Sequence, residues 1–253
     1  MTAISILGTY IAYIIQYVNG YVKLKNYKNC MRIISIVIFL LSLLIHQILK
    51  WKLARYASMQ LRSGLTGAEI AAKMLQYYGI RDVTISCTQG HLTDHYNPVN
   101  KTVNLSETVF YASNAGSAAV AAHECGHAVQ HAKGYAFLKF RSAMVPLLSF
   151  TSRYMMWIIL IGIFLARTTL LPLEIGIGLF AVTTLFTFIT LPVEFDASRR
   201  ALAWINQQNI VSSQEYTAAK NALWWAAMTY VMAALGSLAE LLHLLSILNR
   251  RRD

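Results

Sequence analysis

Long apolar segments are the feature that most constrains the fold of this chain. In a bilayer core every backbone polar group must be satisfied within the protein, and a helix of about 20 residues does this while it crosses the hydrocarbon. The sequence contains five segments of this length or more: Ile4–Val22, Met31–Trp51, Val145–Ala166, Ile175–Val193 and Ala222–Leu248. Only 13% of residues are charged, against roughly 25% in soluble domains. The sequence therefore predicts a multi-pass α-helical membrane protein.

Two of these segments leave an alternative open. Ile4–Val22 contains Tyr, Gln and Asn side chains, so it either spans the bilayer or lies on its surface. Arg153 lies inside the third segment, and an arginine at that depth is costly unless it snorkels or pairs. The third span therefore runs over either Val145–Ala166 or Tyr154–Leu173.

Basic side chains give the chain a formal net charge of +11. They cluster beside the apolar segments, at Lys23, Lys25, Lys28, Arg32, Lys50, Lys52, Arg55 and Arg250–Arg252. This distribution is typical of anchoring at a membrane surface. The sequence has no basic patch interleaved with aromatic residues and no nucleic-acid-binding motif. We therefore expect the lipid bilayer as a partner, and no nucleic acid.

The pattern H-E-x-x-H occurs once, as His123, Glu124 and His127. On a helix, positions i and i+4 lie on one face about 6 Å apart along the axis, so that both imidazoles can bind one zinc ion. The adjacent glutamate can then take a proton from a water on that ion. The surrounding residues, from Ser113 as N-cap to Gly134 as C-terminal stop, predict the required helix. The alternative is a packing helix with two hydrogen-bonded histidines.

A zinc site of this kind needs a third ligand, for which the sequence offers two candidates. His131 continues the same helix face, but eight helical residues rise about 12 Å, whereas zinc–nitrogen bonds measure about 2 Å. We therefore interpret His131 as a structural residue or as a residue that supports the ligands. Glu194 would complete a site of two histidines and one glutamate with an open fourth position, the catalytic type. Alternatively, Glu194 merely begins a helix after Pro192.

Asp196 also has two interpretations. Its spacing from Arg199 and Arg200, at i+3 and i+4, is the spacing of surface ion pairs on a helix. It could instead accept a hydrogen bond from a ligand histidine and so fix the tautomer of that ring.

The stretch between the second and third apolar segments predicts a short helix and a small sheet. Thr66 and Glu69 form a capping box that opens a helix over Gly67–Tyr78. Residues rich in β-branched side chains then predict three strands joined by turns, at Asp82–Cys87, His91–Tyr96 and Thr102–Leu105.

We expect this sheet to be antiparallel and one strand between His91 and Leu105 to pair with an extended substrate. The alternative is an ordinary hairpin packed on the zinc helix. His95 or Tyr96 could also stabilise the oxyanion of a tetrahedral intermediate. Asp94 and Asn97 are expected to stabilise turns.

Three stretches of the chain together resemble one known family. They are Leu92–Pro98, Ala121–Ala128 followed by Gln130 and His131, and Leu191–Ala201. In this order they are similar to the bacterial membrane-embedded neutral zinc metallopeptidases of the YugP-like family, and the similarity extends from about Thr66 to about Leu245. Asn97 departs from the family, in which we expect an aspartate at this position.

The resemblance implies a multi-pass protein of the bacterial cytoplasmic membrane with a zincin-like site. It implies that His123, His127 and Glu194 bind zinc and that Glu124 is the general base. The expected cofactor is one Zn²⁺ per chain, and the expected substrate is a peptide or a membrane protein.

The sequence thus predicts a mainly α fold of membrane helices with a zincin-like HExxH helix and a small antiparallel sheet. We divide the chain into N-terminal membrane segments (1–52), a catalytic region (53–141), a transmembrane hairpin (142–193) and a third-ligand helix with a last span (194–253). The predicted activity is zinc-dependent peptide hydrolysis with Glu124 as base. The alternative is a non-enzymatic membrane protein with a structural or vestigial zinc site.

Overall fold

Seven helices dominate the computed structural model, which describes residues 27–90 and 92–252. The predicted segment Ile4–Val22 and residue His91 lie outside the described residues. The elements in chain order are α1 (Tyr27–Ala57), α2 (Gly67–Tyr77), β1 (Thr84–Thr88), β2 (His95–Asn97), β3 (Thr102–Ser106), α3 (Glu107–Phe110), α4 (Ala115–Ala132), α5 (Ala136–Leu165), α6 (Leu171–Gln207) and α7 (Ser213–Arg252). The predicted fold class is confirmed.

Four helices are long and apolar enough to cross a membrane. They are Ile33–Ala57 within α1, the whole of α5 and α6, and Ser213–Asn249 within α7. They correspond to the last four predicted segments. α6 has 37 residues and is therefore about 55 Å long, whereas the hydrocarbon core is only about 30 Å thick. Part of α6 must project beyond the bilayer.

The predicted segment Ile175–Val193 lies within α6, which continues through Pro192 to Gln207. A proline inside a helix removes one backbone hydrogen bond and crowds the carbonyl four residues earlier. Here the residues that follow are held in place by packing, since Val193 and Glu194 are buried. The apolar part of α6 and its polar part, which begins at Glu194, therefore form one continuous rod.

The helices α5 and α6 form the predicted hairpin, joined by residues 166–170. Glycines allow their backbones to approach closely. A Cβ added at Gly162 would lie 2.5 Å from the backbone nitrogen of Leu173, and one added at Gly176 would lie 2.7 Å from Cγ1 of Ile159. Small residues of this kind are typical of helix contacts inside membranes.

The sheet has the strand order β1-β3-β2, and it is mixed rather than antiparallel as predicted. β3 pairs with β1 in parallel, with Thr84 opposite Thr102, and with β2 antiparallel, with His95 opposite Asn104. The strand β3 lies between β1 and β2 in the sheet. The turns in the sequence suggest that consecutive strands are neighbours, and this is wrong for β1 and β2. In the described part of the chain β2 is an edge strand.

Local sequence signals for helix ends agree well with the structure. Thr66 and Glu69 make both bonds of the predicted capping box at the start of α2. Ser212 and Glu215 make the equivalent pair before α7. The N-cap of α4 is Asn114, whose side chain accepts from the Ser117 N–H at 2.8 Å, one residue later than predicted.

The core of the polar region lies around α4. This helix packs against α2, α6, α7 and the sheet, and its buried alanines leave room for larger side chains such as Met74 and Trp204. Because α4 carries the H-E-x-x-H pattern, the pattern lies at the centre of the molecule.

The close contact between α5 and α6 can be tested with a pair of glycine substitutions. Gly162→Ala should lower the free energy of unfolding by about 1–3 kcal/mol, the usual range for overpacking. Gly178→Ala is the matched control on α6, because a Cβ there meets no atom within 4 Å. Thermal unfolding in detergent should show a lower midpoint for Gly162→Ala alone. Equal midpoints would contradict the close packing.

Candidate metal centre

Three side chains from two helices converge at the middle of the protein. His123 and His127 lie on α4 and Glu194 lies on α6. The Nε2 atoms of His123 and His127 are 3.3 Å and 3.6 Å from Oε2 of Glu194. Each of the three residues offers a ligand atom, and these atoms all lie within 4.8 Å of one another. This is the predicted ligand set, brought together from positions about 70 residues apart in sequence.

A glycine within the pattern allows the two helices to approach this closely. A Cβ added at Gly126 would lie 2.6 Å from the carbonyl oxygen of Ala197 on α6. Real Cβ atoms do not approach a carbonyl oxygen so closely, so only glycine fits here without a shift of α6. Glu194 is one turn before Ala197 on the same helix. The distance from Glu194 to the histidines therefore depends on Gly126.

The hydrogen bonds of Gln130 fix the tautomer of His127. The Gln130 amide nitrogen donates to the Val193 carbonyl at 2.8 Å and to the Asp196 carboxylate at 2.9 Å. Both partners are acceptors, so the amide oxygen must be the atom that faces Nδ1 of His127, at 3.0 Å. Nδ1 therefore carries the hydrogen, and Nε2 presents a lone pair to the centre.

His123 is oriented in a similar way by Ser198. The Ser198 hydroxyl lies 3.1 Å from Nδ1 of His123 and can accept its hydrogen. This leaves Nε2 of His123 available on the side that faces Glu194. Both histidines thus have a partner on the outer nitrogen, as metal-ligating histidines do.

One oxygen of the Glu194 carboxylate is held by an arginine. Arg141 on α5 donates from Nη1 to Oε1 at 3.0 Å. The other oxygen, Oε2, is buried and has no hydrogen-bond partner among the described residues. A buried carboxylate oxygen without a partner is unfavourable, and it faces two imidazole lone pairs. Two such nitrogens and one carboxylate oxygen are donors that zinc prefers, so these residues fit a zinc ion.

Glu124 lies beside this centre, on the face of α4 that is turned toward β2. Its Oε2 accepts the backbone N–H of Tyr96 at 2.9 Å. Burial raises the pKa of the Glu124 carboxyl to about 7, with Glu194 and Asp94 acting in the same direction. His123 and the Tyr96 N–H act in the opposite direction and favour the carboxylate.

The Asp196 carboxylate bonds to Gln130 rather than directly to a histidine. It also forms the predicted ion pairs with Arg199 and Arg200. Its influence on His127 therefore passes through the Gln130 amide.

The remaining predicted residues surround the centre. His131 Nδ1 lies 2.7 Å from the hydroxyl of Tyr96, away from the three converging atoms. His95 contacts the Thr93 carbonyl at 2.8 Å and the Asn104 amide at 3.2 Å through its two ring nitrogens. Both ring nitrogens of His95 and Nδ1 of His131 are therefore already engaged.

Asn97 stabilises a turn, as predicted, whereas Asp94 bonds to a residue at the end of another strand rather than within a turn. Asp94 accepts from the N–H of Ser106 at 2.7 Å and so ties β2 to the end of β3. Asn97 accepts from the N–H of Val99 at 2.9 Å in the turn that follows β2.

Sequence reasoning missed four residues at this centre. Gln130 and Ser198 carry a usable signal, because they follow a candidate ligand by three and four residues on the same helix face. Arg141 and Tyr230 carry none, because they come from α5 and α7 and approach only through tertiary packing. Tyr230 lines the cavities on both sides of Glu194.

Comparison with known proteins agrees with this centre. The model of the family described as "Putative neutral zinc metallopeptidase" matches residues 31–249, and the chain belongs to this family. It is 40% identical over 199 residues to "Putative membrane protease YugP" of Bacillus subtilis (strain 168), covering 79% of this chain and 88% of that protein. No solved structure matches the chain. With four helices able to span a bilayer, the protein is a multi-pass membrane protein.

The role of Gln130 can be tested by removing its hydrogen bonds while keeping its length. Gln130→Met should weaken zinc binding by roughly 10–100-fold, the usual effect of losing the partner of a ligand histidine. Gln76→Met, an exposed position on α2, is the control. Competition with a chromogenic chelator measures the affinity, and circular dichroism checks the fold. Wild-type affinity in a folded Gln130→Met protein would contradict the assignment.

Proposed function

We propose that this protein hydrolyses peptide bonds with one zinc ion per chain, bound by His123, His127 and Glu194. The observation that carries the proposal is the buried Oε2 of Glu194, which faces the Nε2 atoms of both histidines without a hydrogen-bond partner among the described residues. Membership of a zinc metallopeptidase family supports it further. Zinc bound there would act as a Lewis acid and lower the pKa of a coordinated water toward about 7.

Glu124 is the proposed general base. A carboxylate beside the proposed zinc ligands could take a proton from the attacking water and return it to the leaving amine. The Tyr96 N–H holds one of its oxygens at 2.9 Å. The carboxylate is thus fixed in direction before the substrate binds.

The edge strand β2 is the proposed docking site for the substrate backbone. A peptide in extended form would pair with the outer edge of β2 through the Tyr96 carbonyl, since the Tyr96 N–H bonds to Glu124. In this arrangement residues 53–141 supply the base and two ligands, and residues 194–253 supply the third ligand. The predicted pairing strand between His91 and Leu105 is then β2.

Tyr230 is the proposed donor to the oxyanion. Its side chain lines both cavities beside the candidate ligands and lies close to the Glu194 carboxylate, where its hydroxyl could reach an attacked carbonyl. The two donors considered from sequence, His95 and Tyr96, are engaged by Asn104 and His131. A preorganised hydroxyl at this position would stabilise the negative charge of the tetrahedral intermediate.

Membrane proteins or membrane-proximal peptides are the proposed substrates. Glu194 lies where α6 changes from an apolar to a polar sequence, which puts the centre near the membrane surface. Arg141, its ion-pair partner, lies near the polar end of α5. A substrate anchored in the same bilayer would reach the candidate centre without passing through bulk water.

A structural zinc site is the competing interpretation. Such a site normally fills its fourth position with a protein ligand. Here the three candidate ligands adjoin cavities of about 140 Å³ and 190 Å³, and Glu124 lines both of them. Space for a substrate beside a buried, oriented carboxyl favours the enzyme.

The proposal is tested by Glu124→Gln in the detergent-purified protein. The variant should bind zinc with wild-type stoichiometry but lose about 10²–10⁴-fold in peptidase activity, because an amide cannot accept the proton. Glu107→Gln, at an exposed position, controls for the general effect of replacing a glutamate by a glutamine. Zinc content and cleavage of an unfolded and a membrane-anchored substrate are measured together. Unchanged activity in Glu124→Gln would refute the mechanism.

The role of Tyr230 is tested by removal of its hydroxyl. Tyr230→Phe should lower kcat by about 10²–10³-fold with little change in KM, as expected for loss of one oxyanion donor. Zinc content should stay the same, since Tyr230 is not a proposed ligand. Tyr154→Phe, at an exposed position on α5, is the control. A change in KM alone would assign Tyr230 to substrate binding instead.

A further inference from the structure

Two cavities of different chemical character meet at the candidate centre. The first, which we call the apolar cavity, has a volume of about 140 Å³ and is walled by Leu49, Leu53, Val120, Leu223, Ala226 and Ala227. The second, the polar cavity, has about 190 Å³ and is lined by groups that include His95, Arg141 and Ser142. Both are also lined by Asp94, His123, Glu124, Glu194 and Tyr230. A substrate at the centre would therefore meet apolar surroundings on one side and polar surroundings on the other.

The size of the apolar cavity suits one apolar side chain. A cavity of about 150 Å³ lined by aliphatic and aromatic groups accepts a benzene ring, so about 140 Å³ holds a side chain of leucine to phenylalanine size. The aliphatic part of the wall offers no hydrogen-bond partner to a polar side chain.

Alanines of α7 create this space. Ala222, Ala226 and Ala227 line the cavity, and a larger side chain at any of them would project into it. Leu49 and Leu53 of α1 line it as well. Two helices that can span the bilayer thus contribute to the wall of this cavity.

We propose that the apolar cavity binds the side chain of a residue that flanks the scissile bond, and that it selects leucine- to phenylalanine-sized apolar side chains. The inference rests on the proposed peptidase function and adds the class of substrate: peptide segments with a bulky apolar residue next to the cleaved bond. Ala226 limits the size of the accepted side chain, and Leu49 limits it from the side of α1.

The experiment uses full-length zinc-loaded protein in detergent and a peptide mixture whose cleavage sites are mapped by mass spectrometry. Wild type should cleave beside leucine or phenylalanine at one fixed flanking position. Ala226→Leu should lower kcat/KM for these peptides by at least about tenfold, while peptides with alanine there change by less than about twofold. Ala233→Leu, an exposed position two turns further along α7, should keep the wild-type preference.

Leu49→Ala is the reciprocal variant, because it enlarges the cavity. It should raise the ratio of kcat/KM for phenylalanine over leucine peptides by about tenfold. Zinc content and thermal midpoint are recorded for each variant, so that misfolding is recognised separately.

Each outcome bears on one claim. If zinc-loaded wild type cleaves no peptide, the proposed peptidase function fails and the inference fails with it. If wild type cleaves without preference for a bulky apolar neighbour, or if folded Ala226→Leu and Leu49→Ala keep the wild-type preference, the cavity does not select the substrate and this inference alone is overturned. Opposite shifts in the two variants would support it.

Discussion

The close contact between α4 and α6 is the constraint on which the centre depends. Two helices normally pack 8–10 Å apart, according to the side chains between them. Gly126 removes the side chain at the contact, because a Cβ there would meet the Ala197 carbonyl at 2.6 Å. With the backbones this close, Glu194 reaches the two histidines from a neighbouring helix. The candidate metal centre thus depends on a packing contact as much as on the three side chains that could bind a metal ion.

Burial makes the surrounding hydrogen bonds essential. An unsatisfied buried polar group costs about 1–3 kcal/mol, and the centre contains several polar groups in a small volume. Gln130 satisfies His127, Val193 and Asp196 with one amide, while Arg141 compensates one oxygen of Glu194. What remains unsatisfied is the atom that faces the histidines. The hydrogen bonds therefore satisfy the atoms on the outside of the centre. The converging nitrogen and oxygen atoms of His123, His127 and Glu194 stay available for a cation.

Local signals in the sequence predict much of this structure. The four apolar segments, both capping boxes and the helix with its two histidines follow from patterns within about 20 residues. The prediction of an antiparallel sheet fails, because contacts outside the strands decide that β3 pairs between β1 and β2. The continuation of α6 through Pro192 is not predicted from the sequence either, because tertiary packing outweighs the tendency of proline to break a helix. Arg141 and Tyr230 reach the centre only because α5 and α7 are packed around it.

The most direct test of the central claim is X-ray absorption at the zinc edge of the purified protein. Two imidazole nitrogens at about 2.0–2.1 Å and carboxylate or water oxygen at about 2.0–2.2 Å are expected from His123, His127 and Glu194. Cys125, inside the pattern, is buried with its thiol directed to the Ala71 carbonyl at 3.6 Å, so no sulfur is expected. A sulfur shell near 2.3 Å, or a third imidazole, would contradict the ligand set on which this account rests.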